Sequence, residues 1–504
     1  MTKPRRILIV GGGTAGWMAA NLMAARWADR DISIALIESP DIGIIGVGEG
    51  STPQLKAFFD SIGVEERDWM PRCNATYKVG ISFHGWSGKP GCDSYFHPFP
   101  AQTDTQNYPA FVYHCYLRRQ GVDVPAHPDP YFVPARLAAE RRGPLPDHNF
   151  PFPVLYGYHF DSQLLGRYLR EVAVGRGVRH IEAKVEEVVQ AGNGDIRELR
   201  LEGGGTEAAD FFIDSTGFRG LLLQQTLGVP FESFADNLFN DAAVVMPTPQ
   251  GERPACQTVS TALKHGWAWD IPLTNRIGNG YVYSSRYCSA DEAETELRGK
   301  LGLLDADVEA RHLRMKVGQV ARHWDRNCVA VGLAQGFIEP LEATALHIVQ
   351  ETVEGFIRHY EQGGFTNDGQ AAFNEAVRAR FEGVRNYIVC HYRANSRNDT
   401  DYWRDNAANE NLSDSLRGIL QTWLNREDLT VEVQEQDISR YYNTISWHCL
   451  LAGYGVFPDG GYRPPRDGES RYDLAAIGDF VSRCALNFRP HVEQLAALRE
   501  PSAA

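Results

Sequence analysis

Glycines at 11, 13 and 16 in Gly11-Gly12-Gly13-Thr14-Ala15-Gly16 fit the spacing G-x-G-x-x-G. Glycine at these positions permits a tight turn and lets backbone approach a pyrophosphate closely. A helix starting at Thr14 would then offer N–H donors and the positive end of its dipole. Glu38 follows Gly16 by 22 residues, where a carboxylate accepts hydrogen bonds from a ribose 2′-hydroxyl. A ligand-free turn explains the glycines but not the acid at that distance, so a dinucleotide is expected; NAD and FAD both fit. Lys78 is a second chemical signal. It precedes Val79-Gly80-Ile81-Ser82-Phe83, which reads as a half-buried strand, and lysine is seldom buried without a use for its amine.

Both signals need a scaffold. Residues 5–10 read as a strand, 14–29 as a helix and 32–38 as a second strand, which together make a βαβ unit. Residues 88–160 are rich in Pro, Gly, His and aromatics and read as loops and short strands laid over that scaffold. A helix is expected at 162–176, ending at Gly177. Strands follow at 182–189, 196–202, 210–215 and 281–287, with turn signals at Gly192-Asn193-Gly194 and Gly203-Gly204-Gly205. From about residue 341 helical periodicity dominates, at 343–361, 369–388 and 412–424. The expected organisation is an α/β body over 1–340 and a mainly helical part over 341–504, without internal repeats.

Bulk composition narrows the function. A net charge of −14 argues against a nucleic-acid partner, which needs a basic footprint. Nine cysteines, odd in number and without C-x-x-C spacing, argue against a disulfide framework or a metal site and fit a cytoplasmic protein. Lys3-Pro4-Arg5-Arg6 before Ile7-Leu8-Ile9-Val10 superficially resembles a signal peptide, but the glycines cut the apolar run short. No stretch is apolar over a membrane-spanning length, so no membrane role is expected.

Four further stretches choose the cofactor. They are Gly46-Val47-Gly48-Glu49, Tyr77-Lys78-Val79-Gly80, Trp267-Ala268-Trp269-Asp270-Ile271-Pro272 (W-x-W-x-I-P), and the run 332–344 containing Gly332-Leu333 and Glu339-Pro340-Leu341-Glu342-Ala343-Thr344. With the glycine turn, these resemble the flavin-dependent halogenases of the tryptophan halogenase type over essentially the whole chain, including His391-Tyr392 and Asp399-Thr400-Asp401-Tyr402-Trp403. The resemblance implies a Rossmann-like FAD module of the single-component flavin monooxygenase type with an added helical subdomain, and a substrate held at the junction. It also implies reduced FAD, dioxygen and chloride or bromide as reactants, and a small aromatic substrate. A separate NAD(P)H-dependent flavin reductase would supply the reduced flavin, and no second dinucleotide fingerprint is found. Assembly stays open between monomer and homodimer.

Carried over position by position, the resemblance makes Lys78 the catalytic lysine that binds hypohalous acid. Glu342 becomes the active-site carboxylate that stabilises the cationic ring intermediate or takes its proton, with Glu339 the lesser candidate. Gly11, Gly12, Gly13, Thr14, Ala15, Gly16, Glu38, Val47, Glu49, Val185 and Leu333 would contact FAD. Backbone N–H groups of Thr344 and Ala345, at a helix start, would hold halide. His97, Phe99 and Pro340 would wall the aromatic substrate, and Trp267 and Trp269 would line the tunnel from flavin to lysine.

Two positions depart from the family pattern. Ala343 stands where a serine is usual, which removes a hydroxyl beside the halide site but leaves the backbone contacts. Residues 429–443 are shorter and poorer in aromatics than the lid that grips free tryptophan; Tyr441, Tyr442 and Asp437 remain. Indole or an indole derivative is therefore the expected substrate, in place of free tryptophan. The main competing reading is a two-component flavin monooxygenase that hydroxylates an aromatic. An FAD-holding protein without catalysis and an NAD-dependent dehydrogenase each leave some of these motifs unexplained.

Overall fold

The computed structural model describes residues 5–40 and 48–500. Its chain divides into two compact units, residues 1–75 with 160–235 and 315–382, and residues 76–159 with 236–314 and 383–504. These units interleave and do not divide at residue 340. The reason is visible in the first unit: the helix Ala345–Gln362 packs on Thr14–Arg26, and its Phe356 and Tyr360 lie against Phe211 of the central sheet.

The first unit is built on a six-stranded sheet. In spatial order its strands are Trp324–Asp325, Cys328–Ala330, Phe211–Asp214, Arg5–Val10, Ile32–Glu38 and Arg179–Glu182. Every pairing is parallel except that of the first edge strand. Parallel strands covered on both faces need continuous apolar runs, and Ile7–Val10 and Ile34–Ile37 supply them, fully buried. Arg5–Val10 pairs with Phe211–Asp214 on one side and Ile32–Glu38 on the other, so the turn after Val10 opens at the carboxyl edge of the sheet, where such folds hold ligands. This is the α/β, Rossmann-like module expected.

The stretch 182–189, expected as one strand, is two. Arg179–Glu182 closes the parallel sheet, and Val185–Gln190 opens an antiparallel sheet with Ile196–Leu201 and Gly205–Ala208. The break falls where Ala183 N–H bonds the Glu38 carbonyl (3.0 Å), at the end of the parallel ladder.

The second unit carries a seven-stranded sheet ordered Arg311–Arg314, Ala242–Pro249, Arg276–Tyr283, Gly266–Pro272, Thr258–Leu263, Gly80–His84 and Ser94–Pro98. Only Thr258–Leu263 and Gly80–His84 run parallel. One face sets Val244, Ala268 and Tyr281 against the helix Ala290–Leu301. The alternation of side chains puts Trp267 and Trp269 together on the other face. Residues 88–160, expected as loops and short strands, also hold the helices Tyr108–Arg119 and Val133–Glu140. Pro109 and Pro134 lie in their first turns, where proline has no helical N–H to lose; proline there marks a helix start and not a loop.

Candidate active site

The glycine turn has the geometry of a phosphate cradle. A Cβ added to Gly11 would stand 2.1 Å from the Ser215 carbonyl oxygen, one on Gly12 1.6 Å from Glu38 Oε2, and one on Gly16 2.1 Å from the Gly11 carbonyl oxygen. A Cβ on Gly13 would meet nothing within 4 Å, so that side of the turn is open. The helix Thr14–Arg26 starts with no side-chain cap and no acid in its first turn, leaving its N–H groups for an anion. Glu38 accepts a hydrogen bond from His180 Nε2 (2.7 Å), and Arg170 Nη1 lies 3.4 Å away. Sequence reading missed these two partners because they enter from a separate strand and helix. Burial pushes the Glu49 carboxyl up to about 7, against a hydrogen bond from Ser162, and Asp161 adds to the rise. Val185 belongs to the same buried core cluster as Leu8, Val10 and Ile37. Val47 lies outside the described residues. The open turn, the uncapped helix and the acid at the strand end fit FAD.

The second candidate loop approaches the first. A Cβ on Gly332 would stand 2.7 Å from Cβ of Ala15, so the turn Gly332–Ala334 carrying Leu333 sits against the glycine turn. Next come the turn Pro340–Glu342 and the helix Ala345–Gln362. Glu339 and Glu342 are both buried. Ala343 is left-handed (φ 56°), a costly conformation for a residue with a Cβ, and it redirects the chain between Glu342 and the helix. Thr344 is the N-cap but makes no side-chain cap, and the first turn holds no acid. Those N–H groups suit a halide.

In the second unit, Lys78 ends the strand Thr76–Lys78 and is wholly buried. Its Nζ lies 5.4 Å from the Phe99 ring centroid. The backbone joins them too, since Phe99 N–H donates to the Val79 carbonyl at 2.9 Å. Trp267 and Trp269 are buried with centroids 6.0 Å apart, and a Cβ on Gly280 would stand 2.1 Å from Trp269 Cζ2, so that glycine makes room for the ring.

His97 pairs with Ile81 across the sheet edge. Its Nε2 is 3.1 Å from Ser446 Oγ, and its ring lies 5.9 Å from that of Tyr387. Tyr387 donates to the Ser446 carbonyl (3.0 Å) and stacks on Tyr442 with centroids 3.6 Å apart. The surviving lid tyrosines are thus packed inward: Tyr442 on Tyr387, and Tyr441 over Gly383, where a Cβ would stand 2.2 Å from the ring. Asp437 pairs with Arg440 (2.5 Å) on an exposed turn. His97, Phe99 and Lys78 therefore come together in one unit. Pro340, Glu342, Thr344 and Ala345 belong to the other.

No group of His, Cys, Asp or Glu among the described residues is arranged to hold a metal, and none of the nine cysteines is in a disulfide. Among the described residues, no helix is long and apolar enough to cross a membrane.

The chain is similar to known proteins over nearly its whole length. The profile of the tryptophan halogenase family matches residues 6–464. Tryptophan 6-halogenase SttH of Streptomyces toxytricini is 36% identical over 491 residues, 92% of this chain and 91% of the relative. 7-Chloro-L-tryptophan 6-halogenase KtzR of Kutzneria sp. (strain 744) is 36% identical over 525 residues, 98% and 99% of the two chains. Among solved structures, Tar14, a tryptophan C-6 flavin-dependent halogenase (chlorinase) from taromycin biosynthesis, superposes with a TM-score of 0.86 at 34% identity, covering 98% of this chain and 100% of its own.

Proposed function

The chain belongs to the tryptophan halogenase family of flavin-dependent halogenases, and on that premise we propose that it places chlorine or bromine on indole or an indole derivative. The observation that carries the reading is the complete burial of Lys78 beside the Phe99 ring. Reduced FAD with dioxygen, when bound, supplies the two-electron oxidation that turns halide into hypohalous acid. A separate NAD(P)H-dependent flavin reductase provides the reduced flavin.

The protein's own residues bind, orient and move protons. Gly11, Gly12, Gly13, Thr14, Ala15, Gly16 and Glu38 hold the dinucleotide, with Glu49, Val185 and Leu333 around it. Val47 is assigned to the same role from its motif alone. Thr344 and Ala345 N–H groups bind the halide at a helix start. Trp267 and Trp269 form an apolar wall that keeps the arene from the flavin. Lys78 donates a hydrogen bond to hypohalous acid and polarises its oxygen–halogen bond, so that the arene attacks the halogen. Phe99, His97 and Pro340 hold the flat substrate by its faces. Glu342 stabilises the cationic ring and accepts the proton it loses.

Indole fits better than free tryptophan because the lid tyrosines are already spent on Tyr387 and Gly383 and Asp437 on Arg440. The test supplies purified protein with FAD, NADH, an unrelated flavin reductase, air and indole, with bromide, chloride or neither. A halide-dependent isotope pair in the product, absent with Lys78→Ala, supports the reading. Hydroxylated product without halide dependence would replace it with a monooxygenase. Efficient turnover of free tryptophan would overturn the substrate assignment.

A further inference from the structure

Three side chains and one backbone carbonyl beside the strand of Lys78 form a hydrogen-bond chain whose direction can be worked out. Thr76 Oγ1 lies 2.7 Å from the Pro272 carbonyl oxygen. A carbonyl only accepts, so the single Thr76 hydroxyl proton is committed there. Thr76 Oγ1 also lies 3.0 Å from His159 Nδ1, and having no proton left, it must accept; Nδ1 carries the hydrogen. In the neutral ring Nε2 is then an acceptor, and Thr258 Oγ1, 3.0 Å away, donates to it. Every member is buried. Burial holds the His159 pKa well below its ordinary value, and repulsion from Lys78 and His491 adds to this.

The chain lies next to Lys78. Thr76 pairs with His159 and Lys78 with Gly157 across the same antiparallel ladder. Thr76 and Lys78 are two residues apart and project from the same face. Pro272 ends the strand of Trp267 and Trp269, and Thr258 starts the next strand. Lys78 itself is followed by only one residue before the strand Gly80–His84, so its register depends on what fixes Thr76 and Tyr77. Tyr77 is fixed separately, its N–H donating to His491 Nε2 at 3.2 Å, while His491 Nδ1 donates to the Pro254 carbonyl at 3.1 Å.

We propose that His159, as a neutral ring with the hydrogen on Nδ1, is a positioning residue that sets the place of Lys78 relative to the Trp267–Trp269 strand through Thr76 and Pro272. This rests on the reading of Lys78 as the catalytic lysine. A misplacement of about 1 Å can cost a reaction about a hundredfold in rate. Removing the chain therefore acts on kcat, with the binding of indole and FAD spared.

The test measures kcat, KM for indole and FAD affinity in His159→Phe, His159→Asn and Thr76→Val, with Lys78→Ala alongside. His159→Phe and Thr76→Val are expected to lower kcat at least about tenfold with KM and FAD affinity within about twofold. His159→Asn keeps an N–H that can reach Thr76 and is expected to recover much of the rate. Nitrogen NMR of the labelled wild type, with His159 identified by the signal missing in His159→Asn, should show a protonated Nδ1 and bare Nε2 without titration between about pH 5.5 and 8. This readout holds even if His159→Phe does not fold. Wild-type kcat in His159→Phe or Thr76→Val, or a ring titrating near 6.5, overturns the proposal. An active Lys78→Ala would instead overturn the reading beneath it.

Discussion

Lys78 Nζ faces the Phe99 ring at 5.4 Å, and the backbone fastens the two together through Phe99 N–H and the Val79 carbonyl. On the proposed reading the same ring is a wall for the substrate, and its π face is a neighbour suited to a cation. A cation–π contact of this kind contributes about 0.5–2 kcal/mol. Phe99→Leu keeps the apolar bulk and removes the π face, so halogenation of indole is expected to fall by about threefold to thirtyfold. Lys78→Ala removes the donor to hypohalous acid and should cost at least about a hundredfold. Mass-spectrometric product rates with bromide check both; a Phe99→Leu enzyme as fast as wild type would show that the ring serves neither purpose.

Ser446 holds the proposed stacking ring at His97, and its own place is fixed by two bonds. Its N–H donates to Asn443 Oδ1 at the helix cap (3.0 Å), and its carbonyl accepts from Tyr387. Ser446→Ala removes the hydroxyl that holds the imidazole on this side while keeping the backbone bonds to Asn443 and Tyr387. We expect KM for indole to rise severalfold, kcat to change little and the ratio of ring isomers to broaden, with Ser446→Thr restoring all three. Chromatography of the isomers decides this; an unchanged ratio and KM in Ser446→Ala would separate His97 from substrate orientation.

Much of the first unit was legible because its signals are local. The strands Arg5–Val10 and Ile32–Glu38 fall where the apolar runs put them, and the glycine spacing specifies the turn between them. The burial of Lys78 followed from its place beside an apolar run. What stayed hidden is joined only by folding. His159 meets Thr76 across 83 residues and Thr258 across 99, and Ser446 meets His97 across 349. No period or spacing connects such pairs. The helix at Val133–Glu140 was hidden for a different reason, since Pro134 reads as a loop signal until its position in the first turn is known.

Adjacent glycines in the cradle should separate folding from cofactor binding. A Cβ at Gly12 collides with Glu38 Oε2, so Gly12→Ala must displace the carboxylate from His180. Overpacking of this kind costs about 1–3 kcal/mol, and the apoprotein should melt earlier. At Gly13 the backbone is extended (φ −71°) and the added carbon meets nothing within 4 Å among the described residues. Gly13→Ala should leave apoprotein stability unchanged and weaken FAD, because no described residue stands where the methyl would go and the ligand is proposed to lie there. Thermal melts with flavin-fluorescence titrations test the pair; full FAD affinity in Gly13→Ala would place the pyrophosphate elsewhere.

Glu49 makes stability depend on pH in a calculable direction. Its carboxyl titrates at about 7 in the folded protein against an ordinary value of 4.5. Between those values the folded chain holds a proton the unfolded chain has lost. The contribution is therefore complete below about pH 4.5 and is lost as pH rises through 7. Over the whole window it amounts to about 3 kcal/mol. Glu49→Gln keeps an acceptor for Ser162 and cannot ionise. It should match wild type near pH 4.5 and exceed it above pH 7 by up to about 3 kcal/mol. Asp104, pushed up to about 8 by burial, adds a similar slope to both proteins and cancels in the difference. Denaturant unfolding of the apoproteins at several pH values reads this difference directly, and parallel curves for the two would mean that Glu49 is charged at neutral pH without cost.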